Sequence, residues 1–253
     1  MPIIQPNTKV TTFFYPESNY HIAKYIDLTK FISLLQRRAL FFCRADKLED
    51  KFEGAAALKN YNVKVNMYKS LRNLNIDITD EKIIENVESD LLFAKRHKSI
   101  VSVSCWNKFS AESAALWKIY SDYNKGIMIK SSINQIIKSL EKQPQDIQLS
   151  EVRYINYEED VMLEHVNYPF FYKQKAYSYE NEVRMLYQVT GTGKNWDWAD
   201  EEVEEGLFMN VDLDVLIDEI ILSPDSPQWF YKLIEDLLKR YKVKKNISYS
   251  ILA

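Results

Sequence analysis

The richest chemistry in the chain is the run Lys173 to Tyr187, where Glu180, Glu182 and Arg184 alternate with apolar residues. On a strand these three would share one face, with Val183, Met185 and Tyr187 on the other. Paired carboxylates can protonate, deprotonate or stabilise a developing positive charge. By pattern alone, a solvated edge strand carrying a local Glu–Arg pair is favoured, with the wall of a polar cleft as the alternative. A second segment places Ser102 and Ser104 on one strand face, opposite Val101, Val103 and Cys105. Behind it Ser113, Trp117 and Tyr120 follow helical spacing, a pattern that suits an aromatic stripe packed into the core. No G-x-S-x-G turn surrounds either serine, so a hydrolase nucleophile is not indicated. A third segment carries Lys24, Tyr25, Arg44, Asp50 and Glu53. Asp50 and Glu53 suit a hard divalent cation, but equally a helix cap near residue 51, which is the favoured reading.

These groups need a scaffold of strands and helices. Asp27 caps a helix over 28–38, with Leu28, Phe31, Ile32 and Leu35 at helical spacing, followed by a strand at 39–45. Residues 55–98 read as a polar helical insertion that ends in Lys95-Arg96-His97-Lys98, a solvated basic helix end. A strand at 99–106, a helix from Ser110 to Tyr123 closed by Gly126, a strand at 127–129 and a helix at 132–141 follow. Further strands are expected at 151–157, 181–189, 206–211, 217–222 and 246–251, with a helix at 227–241 and an exposed acidic loop at 200–205. The whole, residues 1–253, reads as one α+β domain: a mixed central sheet flanked by helices, with 55–98 inserted.

Composition narrows the chemistry. The chain has 253 residues and only 5 glycines, and neither a P-loop nor a G-x-G-x-x-G fingerprint occurs. Any nucleotide would have to be gripped by side chains rather than by glycine-rich turns. Two cysteines, Cys43 and Cys105, and three scattered histidines lack the spacing of a structural zinc site or a disulfide scaffold. The net charge of −3 excludes a global basic footprint for nucleic acid. With no signal peptide and no apolar run near the ~20 residues of a membrane span, a cytoplasmic protein is expected.

The motifs Lys24-Tyr25-Ile26-Asp27, Leu40 to Gly54, Val103-Ser104-Cys105-Trp106, Glu112 to Ser121 and Tyr179 to Arg184 resemble the bacterial domain-of-unknown-function family DUF2971. Their order, with a basic or aromatic first strand, a serine-bearing strand and a Glu-x-Glu strand, is also similar to the Arg–Ser–Glu pattern of ADP-ribosyltransferases. That resemblance implies NAD held as substrate in the cleft of a split sheet, without a metal. Glu182 would be the catalytic carboxylate and Glu180 would orient the acceptor. Lys24 or Arg44 would meet the pyrophosphate, and Ser102 or Ser104 the nicotinamide ribose. Tyr177 or Tyr179 would stack on nicotinamide, with Tyr25, Trp117, Tyr120 and Arg184 completing the site. It implies a protein or nucleic-acid acceptor, no membrane partner, and a role as toxin or antiviral effector. Here the first cation is lysine rather than arginine, and the serine strand reads Ser-Val-Ser-Cys. Two other readings remain open. One is a metal-dependent nuclease or phosphodiesterase using Asp50, Glu53, Glu180 and Glu182, with Lys173 or Lys175 on phosphate. The other is a non-catalytic interaction module using the basic tail Lys239 to Lys245, a run that also reads as a charged helix end.

Overall fold

The structure, a computed structural model, describes residues 3, 14–50, 52–121, 124–163, 165–189 and 205–252. In chain order the elements are β1 (His21–Ile26), α1 (Leu28–Arg37), β2 (Ala39–Arg44), α2 (Leu58–Ser70), α3 (Asp80–His97), β3 (Val101–Lys108) and α4 (Ala114–Tyr120). There follow β4 (Ile127–Ser132), α5 (Ile133–Ser139), β5 (Gln148–Glu151), β6 (Arg153–Ile155), β7 (Tyr172–Gln174) and β8 (Glu182–Gln188). The chain finishes with β9 (Gly206–Asn210), α6 (Leu213–Leu216), β10 (Glu219–Leu222), α7 (Gln228–Arg240) and β11 (Asn246–Tyr249). The α+β class with a mixed sheet is as expected: nine strands form the main sheet, antiparallel except for β10–β11, and β6–β7 form a small parallel pair.

Local signals placed most helices correctly. Asp27 caps α1 by accepting the Lys30 amide at 2.8 Å, and Phe31, Leu34 and Leu35 turn inward. Thr79 and Ser132 cap α3 and α5 in the same way. Three boundaries differ. The cap of α4 is Ser113, not Ser110, and the helix is about two turns long, because the Ser113 amide first donates to the Tyr25 hydroxyl at 3.1 Å. The expected strand at 151–157 breaks at Val152, whose amide donates sideways to the Glu182 carbonyl. Asp50 caps a turn rather than a helix, accepting the Phe52 amide at 2.9 Å, and α2 starts only at Leu58. The acidic loop at 200–205, apart from Glu205, lies outside the described residues, as do Gly191 and Gly193.

Register assigns the faces of the sheet. Ile22, Trp106, Met185, Ile129 and Phe42 share one face, covered by α1, α5, α6 and α7 through residues such as Phe31, Ile136, Leu216 and Phe230. This is the main core. The opposite face carries Tyr25 and Met128 under Leu116 and Trp117 of α4. Further along the same face, Val101, Val103 and Leu186 pack under Phe170 and Phe171.

The sheet forks at β3. One edge of β3 pairs with β8 along its length, from Val101↔Gln188 to Asn107↔Glu182. The other edge is shared by two strands: β1 at Ile22↔Lys108 and Ala23↔Asn107, and β2 at Cys43↔Val103 and Arg44↔Ser102. Between them the edge has no neighbouring strand among the described residues. A backbone carbonyl left there without a donor would be costly. Lys24 supplies one, reaching into the fork so that Nζ donates to the Cys105 carbonyl at 2.7 Å and lies 5.6 Å from the Trp106 ring centre.

The turn 52–54 brings Glu53 inward from β2 and ends on Gly54 at φ +66°, a conformation that L side chains rarely adopt. A Cβ on Gly54 would lie 2.4 Å from the Phe170 ring. Gly54→Ala therefore costs about 1–3 kcal/mol of stability, read from urea unfolding midpoints. A midpoint equal to the wild type would show that the turn adapts.

Candidate functional site

Arg184 of β8 is buried, 1% exposed, at the centre of an ion network. Its Nη1 and Nη2 each donate to one carboxylate oxygen of Glu53, both at 2.6 Å. Nη1 also donates to the Phe170 carbonyl at 2.8 Å, and Nε donates to Glu182 Oε2 at 2.6 Å. Lys173 of β7 completes the chain, donating to Glu182 Oε1 at 2.7 Å and to Glu180 Oε2 at 2.5 Å. Glu180 Oε1 accepts the Tyr120 hydroxyl at 2.7 Å, which ties the network to α4. The solvated-edge reading of this strand face is thus overturned: all five charged groups are buried. Paired charges can stay buried because each cation satisfies several carboxylate oxygens with short, charge-assisted bonds.

Glu180 lies not on β8 but at the end of the 3-10 turn Lys175–Glu180. Asn181 then takes a left-handed conformation, φ 44°, which starts the strand at Glu182. The Glu180 carbonyl accepts Asn107 Nδ2 at 2.7 Å, and the Glu182 amide donates to the Tyr154 hydroxyl at 2.8 Å.

Charge balance sets the two glutamates apart. Three carboxylates (Glu53, Glu180, Glu182) face two cations (Lys173, Arg184), so full ionisation would leave one buried negative charge uncompensated. Glu180 absorbs the excess. Burial first, and then the hydrogen bond with and charge of Glu182, raise its pKa to about 7. Burial alone would raise Glu182 too, but Arg184 and Lys173 outweigh it and hold this carboxyl well below the usual range. The charge of Glu182 likewise keeps Lys173 protonated against the effect of burial. Both oxygens of each glutamate are engaged; Glu182 between its two cations is held as an anion, whereas Glu180, with Lys173 alone as cation, has its pKa raised toward neutrality.

Glu180 bounds a cleft of about 140 Å³, together with Tyr25, Asn107, Ser113, Tyr179 and Asn181. Trp117 meets Tyr25 edge-on at 4.9 Å, and its Nε1 donates to Glu112 at 3.0 Å. Tyr177 stands 4.8 Å from Lys173 Nζ. The structure therefore brings Glu180, Glu182, Arg184, Tyr120, Tyr25, Trp117 and Tyr177 to one side of the sheet.

Four expected residues go elsewhere. Ser102 and Ser104 pair with Tyr187 and Met185, so their hydroxyls face the main core, on the side opposite Glu182 and Arg184. Strand alternation forbids both sets from lining one cleft. Arg44 sits opposite Ser102, five residues along β3 from the position opposite Glu182, or about 16 Å at strand spacing. There it binds Asp46 at 2.6 Å. Lys24 fills the fork from the core side. Glu53 is neither a cap nor an available metal ligand, since both its oxygens hold Arg184. Lys173, which pattern placed on phosphate, is instead the internal counter-ion. The signal for Glu53 was its place just before a glycine that needs positive φ; Lys173 left no such signal.

No family model matches the chain, and no curated protein matches it. The likeness to DUF2971 thus rests on the quoted motifs. Among solved structures, Thermus sp. 2.9 DarT in complex with NAD+ is similar, with 11% identity, a TM-score of 0.41, and coverage of 93% of this chain and 96% of that chain.

Two outcomes follow from the network. Arg184→Met leaves buried carboxylates uncompensated and costs about 3–5 kcal/mol, measured by denaturant unfolding; a loss below 1 kcal/mol would contradict the burial of these charges. Because the folded-state pKa of Glu180 lies above its ordinary 4.5, the native state binds the extra proton between pH 4.5 and about 7. Its contribution to stability is full below that window and lost as pH rises through it. Glu180→Gln therefore makes the slope of unfolding free energy against pH more positive across the window. An unchanged slope would place the Glu180 proton elsewhere.

Proposed function

We propose that this protein is an ADP-ribosyltransferase-like enzyme that cleaves the nicotinamide–ribose bond of NAD, with Glu180 as the residue that meets the substrate. The observation that carries this reading is the pair of carboxylates joined through Lys173, Glu180 at the cleft and Glu182 behind it; the pKa of the first is raised and that of the second lowered. Bond cleavage builds positive charge on the ribose, and a placed carboxylate stabilises it or activates the acceptor. The forked sheet and the aromatic surroundings of the cleft, Tyr25 and Tyr179, agree with the same chemistry.

The roles differ from those implied by motif order. Glu182 orients Lys173 and Arg184, and through Lys173 sets the charge at Glu180; it is a positioning residue. The cleft is smaller than the ~300 Å³ of a complete small-molecule site, so it suits the nicotinamide end of NAD, with the remainder bound outside it. Ser102, Ser104 and Arg44 take no part. The metal-dependent nuclease reading loses support because Lys173 and Arg184 already occupy three of its four carboxylates, Glu53, Glu180 and Glu182. An effector role, as a toxin or in antiviral defence, goes with NAD consumption and is read from growth of cells expressing the protein.

Nicotinamide release from NAD tests this. The rate rises with pH through about 7 and levels above it, as Glu180 ionises. Glu180→Gln lowers the rate by about 10²–10⁴-fold and keeps the far-UV circular dichroism spectrum. Glu182→Gln lowers both rate and melting temperature, since it takes one carboxylate partner from each of two buried cations. If NAD neither shifts the melting temperature nor releases nicotinamide with protein or nucleic-acid acceptors, the reading is wrong.

A further inference from the structure

A second, larger cavity of about 580 Å³ lies between the α2–α3 hairpin and Met162, Leu163, His165, Val166 and Pro169. This volume falls within the ~300–1,000 Å³ typical of small-molecule sites. Its walls are mostly apolar, and several of their side chains remain open to solvent: Leu91 is 52% exposed and Val166 42%. An apolar concavity that the protein's own side chains leave uncovered is a place for a ligand rather than a finished core.

Among the described residues its charge is one-sided: Lys64, Lys95 and Lys98 line the cavity, against one carboxylate, Asp90, which Lys64 already binds at 2.8 Å. Among the described residues no carboxylate forms an ion pair with Lys95 or Lys98. Three carboxylates act on Lys98 from a distance: Glu53 and Asp46 are bound to Arg184 and Arg44, and Asp50 accepts the Phe52 amide. Burial lowers the pKa of Lys98, a cost that a bound anion would relieve.

We propose that this cavity binds a small amphipathic anion, an apolar body ending in a carboxylate, with its body against Leu91, Ala94, Met162 and Val166 and its charge at Lys95 and Lys98. Neither the ion network nor NAD chemistry is needed for this site, so it stands or falls independently of the proposed activity.

Titration of the full-length protein with dodecanoate, 1-dodecanol and dodecyltrimethylammonium, each below its aggregation threshold, tests it by isothermal calorimetry. Saturable one-site binding of dodecanoate is expected, about tenfold or more tighter than the neutral or cationic analogue. The double variant Lys95→Glu with Lys98→Glu loses about tenfold in dodecanoate affinity and leaves dodecanol binding unchanged. Ala94→Trp fills the cavity and abolishes binding of both. Val166→Trp, on an exposed segment, does the same and serves where Ala94→Trp fails to fold, as judged by its melting transition. Equal affinity for the three head groups, no saturable binding to the folded wild type, or undiminished binding to a folded tryptophan variant would overturn the assignment.

Discussion

The guanidinium of Arg184 holds together parts of the chain far apart in sequence. It donates four hydrogen bonds, two to Glu53 on the turn after β2, one to Glu182 on its own strand and one to the Phe170 carbonyl on the turn before β7. A lysine could not do this, because a single ammonium cannot present the planar fork that binds Glu53 through both oxygens. Burying this cation demands carboxylates. Burying three of them demands a second cation, Lys173, and still leaves one negative charge in excess. That excess appears at Glu180, the member next to the cleft. The chemical character of the site thus follows from electrostatic balance deep in the fold.

The fork in the sheet is the second constraint. By splitting one edge of β3 between β1 and β2, the fold exposes the Cys105 carbonyl, and Lys24 is spent on satisfying it. A cation that motif order assigns to a phosphate is thereby committed to the backbone. On the other face of the sheet, Asn107 of β3 receives the Glu180 turn and its neighbour Ala23 of β1 lines the cleft. The face toward α1, α5, α6 and α7 is a closed apolar core; the opposite face carries the charge network, the cleft and the helical insertion. Among the described residues no helix is long and apolar enough to cross a membrane.

Much of the fold was legible in the sequence because its signals are local. Asp27, Ser132 and Pro227 mark where helices begin, and the apolar spacing in 28–37 and 228–240 marks the faces they bury. The helical character of 55–98 was legible too, as α2 and α3. Where local signals compete, the sequence does not choose: Ser110 and Ser113 are both adequate caps, and only the Tyr25 hydroxyl, 88 residues away, decides between them. The basic end of α3 was read as solvated, yet His97 is buried edge-on against Phe170 at 5.3 Å, a contact between distant segments.

The site divides along the same line. Sequence alone determined that Glu182 and Arg184 share a strand face, that serines alternate with valines on β3, and that glycine-rich nucleotide turns are absent, since each depends only on residue order and a two-residue period. Tertiary structure decided which face is which. Pairing of β3 with β8 sent Ser102 and Ser104 into the core and Glu182 to the other side, and long-range ion pairing turned a strand face that reads as solvated into a buried one. It also decided that Glu180, rather than Glu182, exchanges a proton near neutrality. That property belongs to no single residue; it arises because three carboxylates and two cations from separate segments share one volume from which water is excluded.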